Sequence, residues 1–289
     1  MGRNEIALLR QFEVSTAIEI FSKWLERNLN GGQLWVDGNW LLAGPLNHIF
    51  PAEPFNPELC RQIAGLIESK GYCVETDVRI GSGSYTKDQS LALFRPFQGD
   101  SILPSSAYLK AADLLRLCVI IAAADDWIEP AKLDVCSRKL QNIDGLTRTD
   151  RKRLIILEQM LVQRLCTSSY YSIAKIIRTT PVDQRLMTAK LLVEVAVATN
   201  VITTEQRRVL SRVCQAFGVA PDTLDEWIKQ IAPSLQYDPS KKSYWSLRKW
   251  RVHREGLLIG DSTLAQKRWN FTDWKKLNAR WRVLHRQFS

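Results

Sequence analysis

The sequence predicts a mainly α protein. Its centre is a helical bundle built on a pseudo-duplicated helix-loop-helix, preceded by a small N-terminal α+β region and followed by a basic helical C-terminal extension. Three observations predict this. Residues 104–235 place apolar side chains at helical spacing almost throughout, and a pattern inside them recurs at an offset of 74 residues. Residues 1–103 mix helical spacing with short extended runs bounded by Gly and Asp-Gly turns. Charge is segregated: residues 240–289 hold 13 of the 40 basic residues but 3 of the 30 acidic ones, so the net charge of +10 lies wholly there and residues 1–239 are neutral.

A chain of 289 residues, 45% hydrophobic and 24% charged, can bury a sizeable core and has ordinary globular composition. That excludes wholesale disorder and collagen-like or coiled-coil organisation. No window approaches about 18 uncharged apolar residues, which argues against a spanning helix. Met1-Gly2-Arg3-Asn4-Glu5 does not lead into an apolar run with a cleavage site, so no secretory signal is expected. Cys60, Cys73, Cys118, Cys136, Cys166 and Cys214 form no Cys-x-x-Cys pair and stand apart from His48, His253 and His285. Reduced, buried thiols in a cytoplasmic protein are expected, rather than disulfides or zinc ligands.

Within residues 1–103, Ala17, Ile20, Phe21, Trp24 and Leu25 recur at helical spacing up to Asn30-Gly31-Gly32. Leu34-Trp35-Val36, Asp37-Gly38 and Trp40-Leu41-Leu42 predict a short hairpin, because Asp-Gly accepts positive φ cheaply. Asn56 caps a helix with Pro57 at its first position and Gly71 after its end. Tyr72 through Ile80 is expected to be extended. Gly81-Ser82-Gly83-Ser84 then turns the chain, and Ser90-Leu91-Ala92-Leu93-Phe94 returns it as a strand. The Gly-Ser turn lacks the Gly-Lys-Ser/Thr ending of a phosphate loop and is expected to be a hairpin loop.

Within residues 104–235, Leu117 through Ile128 aligns with Leu191 through Ile202, and Val135, Leu140 and Ile143 fall on Val209, Cys214 and Phe217. Each copy is an Ala-rich apolar helix, a tight polar turn and an amphipathic helix. Small side chains let helix axes approach closely, so the two Ala-rich helices are expected to bury against each other.

Residues 236–289 open with Tyr237-Asp238-Pro239-Ser240-Lys241-Lys242, a linker by composition. Five of the ten tryptophans follow. Thr272 or Asp273 can cap a helix in which Trp274, Leu277, Trp281, Leu284 and Phe288 step by three and four, leaving Lys275, Lys276, Arg280, Arg282 and Arg286 mainly off the stripe.

The run Ala122-Ala123-Ala124-Asp125-Asp126-Trp127-Ile128-Glu129 resembles the Ala-Ala-Asp-Gly-x-Ile/Val loop of tellurite-resistance TerB-like domains. Further segments are similar to those flanking the helical domain of longer bacterial TerB-domain proteins: Gly71-Tyr72 through Arg79, Leu93-Phe94-Arg95, Pro104-Ser105-Ser106-Ala107-Tyr108, and Phe217-Gly218-Val219-Ala220-Pro221. The resemblance covers roughly residues 56–230; residues 236–289 do not resemble the C-terminal domain those proteins often carry. It implies a helical domain with two acidic loops that have been proposed to hold a divalent metal. In this chain Asp125 keeps the first loop acid, but Asp126 stands where Gly is usual and Lys132 where a helix-start Glu is expected. In the second copy Thr199-Asn200 replaces Asp-Gly and Gln206 replaces the matching Glu. The remaining metal candidates are Asp125, Asp126 and Glu129. Hard cations want several converging carboxylate oxygens, so loop capping by Asp125 or Asp126 is the expected role, with no cofactor.

No catalytic set stands out. Asp113, Asp125, Asp126 and Asp134 are expected to be helix-surface or loop-capping acids, no Gly-x-Ser-x-Gly elbow is present, and His48 sits among apolar neighbours. The expectation is a non-enzymatic adaptor or accessory subunit. The resemblance implies stress-response or phage-defence assemblies containing ATPases or nucleic-acid enzymes. Partner binding, or alternatively nucleic-acid binding, is assigned to Arg248, Lys249, Arg251, Arg254, Lys267, Arg268, Trp269, Trp274, Lys275, Lys276, Arg280, Trp281, Arg282 and Arg286. A membrane surface also suits a basic Trp-bearing face, but it is not the expected partner.

Overall fold

The computed structural model describes residues 3–29, 32–37, 41, 46, 49–50, 56–79, 85, 90–124, 128–165 and 173–238. The chain divides into two units, the first comprising residues 1–104 and 147–149 and the second residues 105–146 and 150–289.

In the first unit, α1 (Arg3–Asn28) buries Ala17, Phe21 and Leu25 at the predicted spacing, while Ile20 faces outward. The helix α2 (Pro57–Ser69) starts where the sequence places it. Asn56 Oδ1 accepts the Leu59 amide at 2.8 Å, which satisfies one of the donors that a helix start leaves without an intrahelical partner. Three short strands, β1 (Gln33–Asp37), β2 (Cys73–Glu75) and β3 (Ser90–Phe94), form an antiparallel sheet in the order β1-β3-β2. Leu34 and Val74 both lie opposite Leu93. Leu91 and Leu93 point to one side of β3, as strand alternation requires, into a core with Phe21, Leu25, Ile63 and Ile67.

Two expectations for this unit change. The stretch 34–36 is a strand paired with β3, and Leu41, the described residue of the expected return strand, is helical and buried. A central β3 buries more apolar side chain than an isolated two-stranded hairpin can. The extended run from Tyr72 stops at Glu75 rather than continuing to Ile80. Asp77 Oδ1 accepts the Arg79 backbone amide at 3.0 Å, an Asx turn that bends the chain, and the Arg79 guanidinium pairs with Asp77 and Glu68. The Gly-Ser turn at 81–84 lies outside the described residues.

The second unit carries α3 (Ser106–Ala122), α4 (Pro130–Gln141), α5 (Arg148–Leu165), α6 (Ile173–Thr179), α7 (Val182–Ala196), α8 (Thr204–Ala216) and α9 (Pro221–Ile231). Ser105 Oγ caps α3 by accepting the Tyr108 amide at 3.1 Å. The duplication is structural. The Ala-rich helices end at Ala122 and Ala196, and the helices after the turns begin at Pro130 and Thr204, each pair 74 residues apart. The helices α3 and α7 pack on each other, α4 and α8 pack on both, and α9 packs on α7 and α8. Ala111, Ala112, Ala122, Ala189 and Ala196 are buried in this core. Gly218, at φ +86°, closes α8 by letting the Val219 and Gly218 amides reach back to Cys214 O and Gln215 O.

The two copies differ after their first helix. In the second copy the turn leads into a short strand, β4 (Val201–Thr203), which pairs in parallel with β5 (Gln236–Asp238). Composition assigns Tyr237-Asp238 to a linker, but the structure pairs them with Ile202 and Thr203. The parallel ladder satisfies backbone groups that the turn alone leaves unpaired, which a reading of composition does not register. Among the described residues, no helix is long and apolar enough to cross a membrane.

Leu192 is fully buried in the core to which both copies contribute, whereas Met187 on the same helix is 77% exposed. Leu192→Ala is expected to cost about 2–5 kcal/mol in urea denaturation, and Met187→Ala to stay within about 0.5 kcal/mol. Burial pushes the Cys214 thiol up to about 12 from its ordinary value of 9.0. The unfolded chain therefore gives up this proton at lower pH than the folded one does. The thiol's contribution to stability is full below pH 9 and is lost as pH rises towards 12. Across that window the urea midpoint of the wild type is expected to fall more steeply than that of Cys214→Ala.

Candidate functional site

The two helices that follow the turns, α4 and α8, start at equivalent positions, and their first turns carry different chemistry. In α8, Thr203 is the N-cap and Gln206 the third helical residue. Thr203 Oγ1 accepts the Gln206 amide at 3.2 Å, and Gln206 Oε1 accepts the Thr203 amide at 3.3 Å, a complete capping box. The equivalent residues in α4 are Glu129 and Lys132. An ammonium has donors and no acceptor, so Lys132 cannot reach back to the amide of its own N-cap.

Lys132 crosses to the other copy instead. Its Nζ donates to Gln206 Oε1 at 2.8 Å and lies 3.3 Å from Glu129 Oε2. Glu129 Oε2 also accepts the Thr199 hydroxyl at 2.7 Å. Gln206 Nε2 donates to Ala122 O at 3.4 Å, at the end of α3, where helix carbonyls lack intrahelical partners. Lys132 and Gln206 are only 2% and 1% exposed, so the ammonium depends on these partners rather than on water. Lys132 and Gln206, positions related by the 74-residue repeat, thus meet directly, and Glu129 meets Thr199 beside them. Asn200, in the place of the second loop's usual Gly, has φ +55°, a left-handed conformation that Asn tolerates better than most residues.

The resemblance implies a divalent metal in this region, and the described donors do not fit one. They comprise one carboxylate, from Glu129, together with a carboxamide and hydroxyls, and an ammonium already lies against both the carboxylate and the carboxamide oxygen. A second, doubly charged cation there would be repelled at short range and would find too few carboxylate oxygens. Among the described residues no group of three His, Cys, Asp or Glu side chains converges. Asp125 and Asp126 lie outside the described residues, as do His48 and every basic or Trp candidate from Arg248 to Arg286. Glu129 is described, and it is an internal partner of Lys132.

The sequence flags Lys132 and Gln206 as departures from the family pattern without revealing that they touch. Two signals point there: their separation equals the repeat offset, and Thr203-x-x-Gln206 is a capping-box signature. An open groove of about 570 Å³ beside α4 is lined by Lys139 and Glu194, which pair with each other at 3.2 Å.

Gln206→Leu removes both the cap acceptor and the acceptor for a buried ammonium. It is expected to cost about 2–3 kcal/mol by chemical denaturation. Glu205→Ala, one residue earlier and paired with Arg208 along its own helix, is expected to cost less than about 1 kcal/mol.

Residues 111–228 match the family model described as tellurite resistance protein TerB. No curated protein and no solved structure matches the chain. The matched residues run from inside α3 into α9 and contain both helix-loop-helix copies and the network between them, so the helical bundle of this chain is a TerB-like domain.

Proposed function

We propose that this chain is a non-enzymatic adaptor or accessory subunit of a bacterial stress-response or phage-defence complex. Its TerB domain serves as the mount, and residues 240–289 serve as the contact with a protein partner. The observation that carries this reading is the separation of charge: the first 239 residues balance their charges, and the whole excess of +10 lies in the last 50 residues with half of the tryptophans. Trp and Arg are preferred anchors at protein interfaces. The polar side chains between the two helical copies support the same reading, because they are engaged with one another and tie helices together.

The alternative is direct binding of nucleic acid by the same segment, favoured by its thirteen basic residues and five tryptophans. Phosphate contacts release counterions and weaken steeply with salt, whereas an aromatic protein interface does not.

Affinity purification from the native host, with and without nuclease, separates the two readings. The adaptor reading expects a protein partner that stays bound after nuclease treatment and at raised salt, and that is lost in Trp274→Ala/Trp281→Ala. Changing Lys275, Lys276, Arg280, Arg282 and Arg286 to Gln should then leave capture largely intact. Partner loss on nuclease treatment, with a salt-steep shift of oligonucleotides that the Gln variant abolishes, would establish the alternative.

A further inference from the structure

Between the starts of α4 and α8 the domain brings together what a cation site needs: converging oxygens, burial and ligands drawn from both copies. Glu129 comes from one copy, and Gln206 and Thr199 come from the other. The group that lies among them is Lys132 Nζ, 2.8 Å from one oxygen and 3.3 Å from another. We infer that the Lys132 ammonium takes the place of a bound divalent cation between the two helix-loop-helix copies, so that they are joined by a charge built into the chain and independently of metal.

The surroundings match a single positive charge. A divalent ion wants two or more carboxylates; the described donors supply one, and it is neutralised by one ammonium. A second described acceptor, Gln206 Oε1, is an uncharged oxygen held in place by the Thr203 amide. The substitutions agree with one another: a cation is gained at 132 where the family pattern has Glu, and the carboxylate is given up at the repeat-equivalent position, 206. Either change alone would leave an unbalanced charge in a buried place. The consequence is a mount that stays assembled whatever the supply of divalent ions. This inference does not depend on the adaptor reading, since it is tested on the stability of the chain and not on partner capture.

The test is the melting temperature of the full chain, followed by circular dichroism in EDTA and in millimolar magnesium, calcium or manganese. The wild type is expected to melt at the same temperature in all of these. Lys132→Met keeps the length of the side chain and removes its charge; it is expected to lower the melting temperature by roughly 5–15 °C. Lys132→Met/Gln206→Glu exchanges the ammonium for a second carboxylate and is expected to melt higher in divalent cation than in EDTA. The inference is overturned by any one of three results: a cation-dependent rise in the wild type that disappears in Glu129→Gln, a Lys132→Met melting temperature equal to that of the wild type, or a double variant indifferent to divalent cation. Should neither Lys132 variant fold, the wild-type and Glu129→Gln measurements decide it.

Discussion

The close packing of α3 on α7 is the constraint on which the rest of the TerB-like domain depends. Both helices bury small side chains in the shared core, among them Ala112 and Ala122 on one and Ala189 and Ala196 on the other. Small residues let two helix axes come near each other. That proximity carries the two turns, and the helices that begin after them, to one place. A larger residue at these positions would separate the copies and draw Lys132 away from Gln206. The polar network is therefore downstream of apolar packing.

Once the copies are in contact, buried polar groups must find partners within the protein. The domain solves this asymmetrically. One helix start is closed by its own capping box; at the other no side-chain cap bond forms, and the lysine at the equivalent position donates across the repeat instead. The same rule governs α5. Arg153 is fully buried, with its guanidinium 6.0 Å from the centre of the Tyr108 ring, and Glu158 accepts the Ser137 hydroxyl at 2.6 Å. Buried charges of this kind contribute little net stability compared with apolar replacements, but removing one partner alone is costly.

This architecture suits a rigid scaffold. The charged side chains inside the bundle are committed to holding helices together, and the excess positive charge is relegated to a stretch of sequence that lies outside the TerB match.

The sequence by itself determined the mainly helical class, the 74-residue duplication, the cap at Asn56 and the resemblance to TerB domains. Each of these is local: apolar spacing, a capping side chain a few residues from its amide, a repeated pattern along the chain. The tertiary structure decided which segments meet. It gave β1 to β3 rather than to a neighbouring return strand, because strand pairing is settled by the core that the sheet covers. It drew Gln236–Asp238 out of an apparent linker and beside β4, and it turned two departures from a family pattern into one contact. The physical reason is common to all three. The free energy of a pairing depends on what is buried around it, and burial is a property of the folded chain that no window of sequence contains.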